Sequence, residues 1–159
     1  MKTAVFPGSF DPITNAHVDI VKRAKSLFDK IYVAIGVNTT KKGFFSQEER
    51  LQLVQQVFSV EDDAVEAVQF DGLTVDFCRK VGARYILRGM RSTGDFEFEK
   101  AIALNNAILA PEIETVFLVS SSGLSHISST IIREILSNGG DVSQLVPTPV
   151  ADAADRKRQ

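Results

Sequence analysis

Five short runs of β-branched and aromatic residues punctuate the chain, at Thr3 to Phe6, Ile31 to Gly36, Val65 to Phe70, Arg84 to Leu87 and Thr115 to Val119. A turn-rich loop and then a helical repeat of apolar positions follow each of them. Ile20, Val21, Ala24, Leu27 and Phe28 recur at helical spacing between the first two runs, and Leu51, Val54, Val57 and Phe58 between the next two. Ser46 followed by Glu49 predicts a capping box opening the second helix, and Gly82 a C-cap closing the third. A fourth helix is expected from Asp95 to Leu109, stopped by Pro111, and a fifth from about Ser128 to just before Gly139. Strands separated by helices pair in parallel through right-handed crossovers. The expectation is an α/β fold: a Rossmann-like, doubly wound, parallel five-stranded sheet with helices on both faces. From Asp141 onward we expect a small C-terminal helical appendage interrupted by Pro147 and Pro149. No repeat or linker divides the 159 residues, so a single domain over 1–159 is expected.

Charge narrows the partners. Eighteen Lys+Arg against 20 Asp+Glu leave a net charge of -2, which argues against a nucleic-acid surface. The basic run Arg156-Lys157-Arg158 is read as a frayed tail. Cys78, the single cysteine, has no partner for a disulfide and no Cys/His neighbours at metal-ligand spacing, so it is expected in the core of a protein from a reducing compartment. No apolar stretch has the length of a membrane span, and Pro7 interrupts the N-terminal apolar run early. A cytoplasmic protein without membrane or nucleic-acid partners and without a protein-built metal site is expected.

In an open parallel sheet, ligands bind at the carboxyl ends of the strands. The loops after the five runs therefore share one rim. They bring His17, Lys41, Lys42, Arg88 and Arg91 together with Ser9, Ser128, Ser129 and Thr130, and with Arg133 one helical turn further. In isolation each has an ordinary explanation: a capping histidine, solvated lysines and arginines, hydroxyl N-caps, and Asp95, Glu97 and Glu99 complementing a helix dipole. Convergence on one rim argues for phosphate binding. Gly8 and Ser9 would let the backbone approach a ligand, and His17, in the first helical turn, would offer an N–H to an oxygen whose charge grows during phosphoryl or nucleotidyl transfer. Arg88 and Arg91 would grip one phosphate. His126 is read as a packing residue. No Walker A loop, G-x-G-x-x-G or Ser-His-Asp set is present, so the protein offers no nucleophile of its own.

Pro7-Gly8-Ser9-Phe10-Asp11-Pro12-Ile13-Thr14-Asn15-Ala16-His17, Arg88-Gly89-Met90-Arg91, Asp95-Phe96-Glu97-Phe98-Glu99 and Ile127-Ser128-Ser129-Thr130 together closely resemble the bacterial phosphopantetheine adenylyltransferase family, within the nucleotidylyltransferase superfamily. The likeness runs from about Thr3 to Pro147. It implies transfer of AMP from ATP to 4'-phosphopantetheine, giving dephospho-coenzyme A and pyrophosphate, with Mg2+ as cofactor, a homohexameric assembly and coenzyme A as a feedback ligand. By the same likeness Ser9, Lys41, Thr74 and Arg88 would hold the phosphopantetheine. ATP would lie against Ser9, Phe10, His17, Gly89, Met90, Arg91 and Glu99, and along Leu124, Ser125, His126, Ile127, Ser128, Ser129 and Thr130. His17 would be the transition-state stabiliser.

Three positions depart from the family pattern. Ala16 replaces a common glycine, and we expect it in ordinary helical conformation, where its methyl does no harm. Leu124 replaces a frequent aromatic and Phe6 a frequent tyrosine. Two other readings stay open from the residues alone: a nucleotidylyltransferase with a different phosphate acceptor, and a non-catalytic nucleotide-binding module.

Overall fold

Alternation along the first strand sorts the molecule into layers, because successive side chains of a strand point to opposite faces. Ala4 and Phe6 enter one apolar cluster and Val5, between them, enters another. The computed structural model describes residues 1–58 and 61–159. Its strands are β1 (Thr3–Gly8), β2 (Lys30–Gly36), β3 (Val65–Phe70), β4 (Tyr85–Met90) and β5 (Glu114–Val119), all parallel, in the order β3-β2-β1-β4-β5. The helices are α1 (Asn15–Ala24), α2 (Gln47–Val57), α3 (Thr74–Val81), α4 (Thr93–Leu109), α5 (Ser129–Ser137) and α6 (Thr148–Lys157). Buried residues of α1, α2, α5 and α6 fill the first cluster; those of α3, with Ala110 and Ile113 beyond α4, fill the second. The fold is the expected Rossmann-like doubly wound sheet. Cys78 is buried in the second cluster, where desolvation pushes its thiol up to about 11.

The local signals explain where helices begin. Ser46 and Glu49 form the expected reciprocal cap, and Gly82 closes α3 in the left-handed region at φ 72°. Ser92 caps α4 and Ser128 caps α5, each accepting the backbone N–H three residues on. Ala16 lies inside α1, as expected. The left-handed non-glycine residue is instead Phe10, at φ 44°.

Several boundaries differ from the sequence reading. β4 runs on through Arg88, Gly89 and Met90, because these pair with Phe117, Leu118 and Val119 of β5. They are strand residues, where a loop was expected. β1 likewise continues through Pro7 and Gly8 by pairing with Ala34 and Ile35 of β2. On its other side β1 pairs with β4 only at Ala4 and Val5, so these two central strands part toward their carboxyl ends. The N and C=O of a strand residue face the same neighbour, so the N–H that Pro7 lacks falls toward this split and no ladder bond is lost. The expected C-terminal helix is present and is packed into the body of the protein: Val150 and Ala154 are buried in the main cluster. Its prolines begin α6, Pro147 as N-cap and Pro149 in the first turn, where a missing N–H costs nothing. Nor does the basic tail fray. Lys157 pairs with Glu49 at 3.3 Å and covers the Phe44 and Phe45 rings, and Arg158 donates to the Gly140 carbonyl. Among the described residues no helix is long and apolar enough to cross a membrane.

Candidate active site

The strand order reverses between β1 and β4, and there the chain opens a crevice. Arg88 fills its floor. Its Nη1 donates to the Pro7 carbonyl at 2.8 Å, inside the split, while Nε and Nη2 form a fork onto Glu99 at 2.8 and 2.5 Å. Glu99 is the one buried residue of α4, and this pair anchors the helix over the crevice. The ordinary first-turn explanation does not hold for Glu99: it sits in the second turn of α4 because the helix starts at Thr93, and its partner is Arg88.

Two cavities meet over this floor. The larger, about 540 Å3, is walled by Phe10 and His17 from the first loop and α1, by Gly89 and Arg91 at the end of β4, and by Ile127, Ser128, Ser129 and Thr130 at the start of α5. The smaller, about 350 Å3, lies toward β2 and β3 and is lined by Val37, Phe70, Thr74, Ile102 and Ala103, a more apolar set. Pro7, Gly8, Ser9, Arg88 and Glu99 border both. Each volume suits a small-molecule ligand. A third, smaller recess behind Ser9 holds Lys41 and Lys42.

His17 is held by its own helix cap. The Thr14 hydroxyl accepts from the His17 N–H at 3.4 Å, and the imidazole Nδ1 accepts from the Thr14 N–H at 3.0 Å. An Nδ1 that accepts must be unprotonated, so the neutral ring carries its proton on Nε2. Burial, then the nearby Arg91 and Arg88, lower its pKa from 6.5 to about 4. A neutral imidazole with a single available N–H is the result. The Phe10 ring packs edge-on at 5.0 Å and fixes the plane. Capping and ligand contact, alternatives in the sequence, are compatible uses of one ring. The side chain at position 17 replaces the Glu or Gln of an ordinary capping box; Thr14 three residues before His17 was the available signal.

Other expected residues are placed differently. Arg88 and Arg91 both line the larger cavity, and each is already engaged: Arg88 by Glu99, and Arg91 by Asp95 at 3.3 Å and the Ile127 carbonyl. Arg133 lines the larger cavity while donating to the Asp11 carbonyl at 2.8 Å and to Thr130 at 3.2 Å. Met90, Leu124, Ser125 and His126 line neither cavity; the last three lie in the turn before α5, with Ser125 and His126 exposed. Gly8 borders both cavities, and a Cβ on it would also stand 3.0 Å from the Phe10 ring. The sequence reading missed Asp11 and Arg50, a buried pair at 3.4 Å behind Ser9.

Among the described residues no cluster of three His, Cys, Asp or Glu side chains could hold a metal ion, and the cavity carboxylates Asp95 and Glu99 are both engaged by arginines. This donor set suits a divalent cation carried on phosphate oxygens and water, which is how Mg2+ commonly accompanies nucleotides.

A parallel sheet reversing at β1/β4, paired cavities and a neutral histidine donor at a helix start fit a nucleotidyltransferase, and residues 5–135 match the family described as cytidylyltransferase-like. Over 150 residues the chain is 51% identical to the phosphopantetheine adenylyltransferase of Flavobacterium psychrophilum, covering 94% of this chain and 98% of that one. It is 47% identical to the enzyme of that name from Leptospira biflexa over 97% of this chain and 96% of the other, and 44% identical to that of Clostridium perfringens over 99% and 95%. The chain belongs to the phosphopantetheine adenylyltransferase family.

Proposed function

We propose that the chain transfers the adenylyl group of ATP to 4'-phosphopantetheine, releasing pyrophosphate and forming dephospho-coenzyme A. The observation that carries this reading is the pair of cavities sharing Ser9 and Arg88, beside the His17 ring. ATP occupies the larger, with its phosphates toward Arg91 and the hydroxyls of Ser128, Ser129 and Thr130. Phosphopantetheine occupies the smaller, with its apolar arm against Ile102 and Ala103 and its phosphate toward Ser9, Arg88 and Lys41. An oxygen of that phosphate attacks the α-phosphorus in line, a new P–O bond forms, and the bond to the pyrophosphate oxygen breaks. The Nε2–H of His17 donates to an α-phosphoryl oxygen as its negative charge builds, an effect worth about 3 to 4 kcal/mol for one preorganised donor. Alignment of the two bound reactants supplies roughly 7 to 11 kcal/mol more. Arg88 releases or shares Glu99 when phosphate arrives.

Mg2+ bound through the triphosphate would neutralise the leaving group, with no protein carboxylate required. Coenzyme A, which carries both halves of the product, would compete for both cavities and so act as feedback ligand. The exposed apolar side chains of α4 support self-association, which we read as a homohexamer, and the reading places the protein in the cytoplasm. Pyrophosphate release, measured with ATP and a panel of 4'-phosphopantetheine, nicotinamide mononucleotide and a sugar phosphate, tests the function. Turnover with phosphopantetheine alone is expected; turnover only with another acceptor, or ATP binding without pyrophosphate, would refute it.

A further inference from the structure

We propose that Arg50 and Asp11 are positioning residues for the transfer, a buried pair that holds the lysine-bearing loop 38–45 in register with Ser9. The proposal rests on the adenylyl-transfer reading above. The two side chains are 7% and 6% exposed and stand 3.4 Å apart, Nη2 to Oδ2. Asp11 accepts the Phe44 and Phe45 N–H groups, one on each carboxylate oxygen, both at 2.9 Å. Arg50 donates from Nε to the Phe45 carbonyl at 2.9 Å and from Nη1 to the Ser9 carbonyl at 3.5 Å. The loop is thus gripped by its amides and by a carbonyl, and the same guanidinium reaches the backbone of the residue that borders both cavities. From the other side Arg133 donates to the Asp11 carbonyl and to Thr130. Three walls of the site, carrying Ser9, Lys41 and Thr130, are therefore joined at Asp11.

Gly43 shows how closely the loop is drawn in. A Cβ there would overlap Arg50 Nη2 and stand 2.5 Å from Asp11 Oδ2. Lys41 and Lys42 themselves are exposed and donate no side-chain hydrogen bond among the described residues, so their place relative to Ser9 depends on the anchored end of the loop. Arginine is required because a lysine is a point charge and could not reach Phe45, Ser9 and Asp11 together. Misalignment of about 1 Å between reacting groups lowers rate by about 10²-fold without abolishing binding.

Two substitutions test this by different routes. Arg50→Lys keeps the charge and loses the fork; Gly43→Ala keeps both charges and displaces the guanidinium. Steady-state kinetics with both substrates varied would be normalised to folded protein by near-UV circular dichroism, and ATP affinity measured separately by equilibrium titration. We expect kcat to fall about 10- to 100-fold in each, with the Kd for ATP within about threefold of wild type. If Arg50→Lys does not fold, Asp11→Asn, which keeps one acceptor oxygen for the loop amides, carries the same expectation. A kcat within about twofold of wild type in these variants overturns the proposal, as does a loss of activity that only follows the loss of folded protein. Wild-type protein inactive with every acceptor would overturn the transfer reading and this one together; active wild type with unaffected variants would remove this one alone.

Discussion

His17 sits at the third position of α1, where a capping box ordinarily carries a carboxylate or amide, and it uses one ring nitrogen for the helix while leaving the other for the transfer proposed above. The two uses can be separated. His17→Ala loses both, and we expect kcat lower by about 10² to 10³ together with about 1 kcal/mol less stability. His17→Glu restores the acceptor for the Thr14 N–H, so it should recover most of that stability in a urea titration while remaining as inactive. Near wild-type turnover in either variant would contradict the assigned role. The depressed pKa has a sign that can be checked. Above pH 6.5 the ring is neutral in folded and unfolded chains alike. As pH falls below 6.5 the unfolded chain takes up a proton that the folded chain refuses until about pH 4. The contribution of His17 therefore falls across that window by roughly 3 kcal/mol and is constant below it. The chain has two histidines. NMR titration of the free protein should show the His17 signal unchanged until near pH 4, with the proton on Nε2 above it; a midpoint near 6.5 would be inconsistent with the buried, arginine-flanked ring.

Among the elements, what periodicity could reveal and what it could not divide along a physical line. The apolar cores of all five strands, and α1, α2, α3 and α5, follow from patterns that each segment carries within itself. The ends of β1 and β4 do not. Pro7 reads as a strand stop, and Arg88 and Gly89 interrupt an apolar run. Their acceptance depends on a split between strands, and on Glu99 eleven residues downstream. Cavity residues at a helix start, such as Ser128 and Ser129, were legible because a helix start has a local signature. The Asp11–Arg50 pair was not, since its two members lie 39 positions apart in the numbering and meet only through the fold. α6 was underestimated because its prolines look like interruptions when they are an opening. Val150 on that helix has no exposed surface. Val150→Ala should cost about 2 kcal/mol, lowering Tm by about 4 to 8 °C, measured by calorimetry. An unshifted Tm would mean that α6 contributes nothing to the core.

At the scale of the whole molecule, α4 is an anomaly for a free protomer. Along its 17 residues only Glu99 is buried, while Ile108 is 78% exposed and Phe98 69%, with Leu104 and Leu109 also outward. Apolar surface gathered on one helix ordinarily marks an interface. In the homohexamer proposed above, Ile108→Glu, which lines neither cavity, should lower the mass measured by light scattering coupled to size exclusion, leaving the circular dichroism spectrum of the protomer intact. An unchanged mass would detach α4 from self-association. Net charge gains meaning at this scale too: in a chain of -2 overall, Arg88 and Arg91 stand at two openings, and Lys41 and Lys42 at the recess beside them. Those openings share a short sill at Ser9. A chemist could seat a weak fragment in each and join them across it. Because the sill fixes the distance between them, a tether of matched length would convert the second binding event into an intramolecular one, raising affinity about 10²- to 10⁴-fold over either fragment without a new contact.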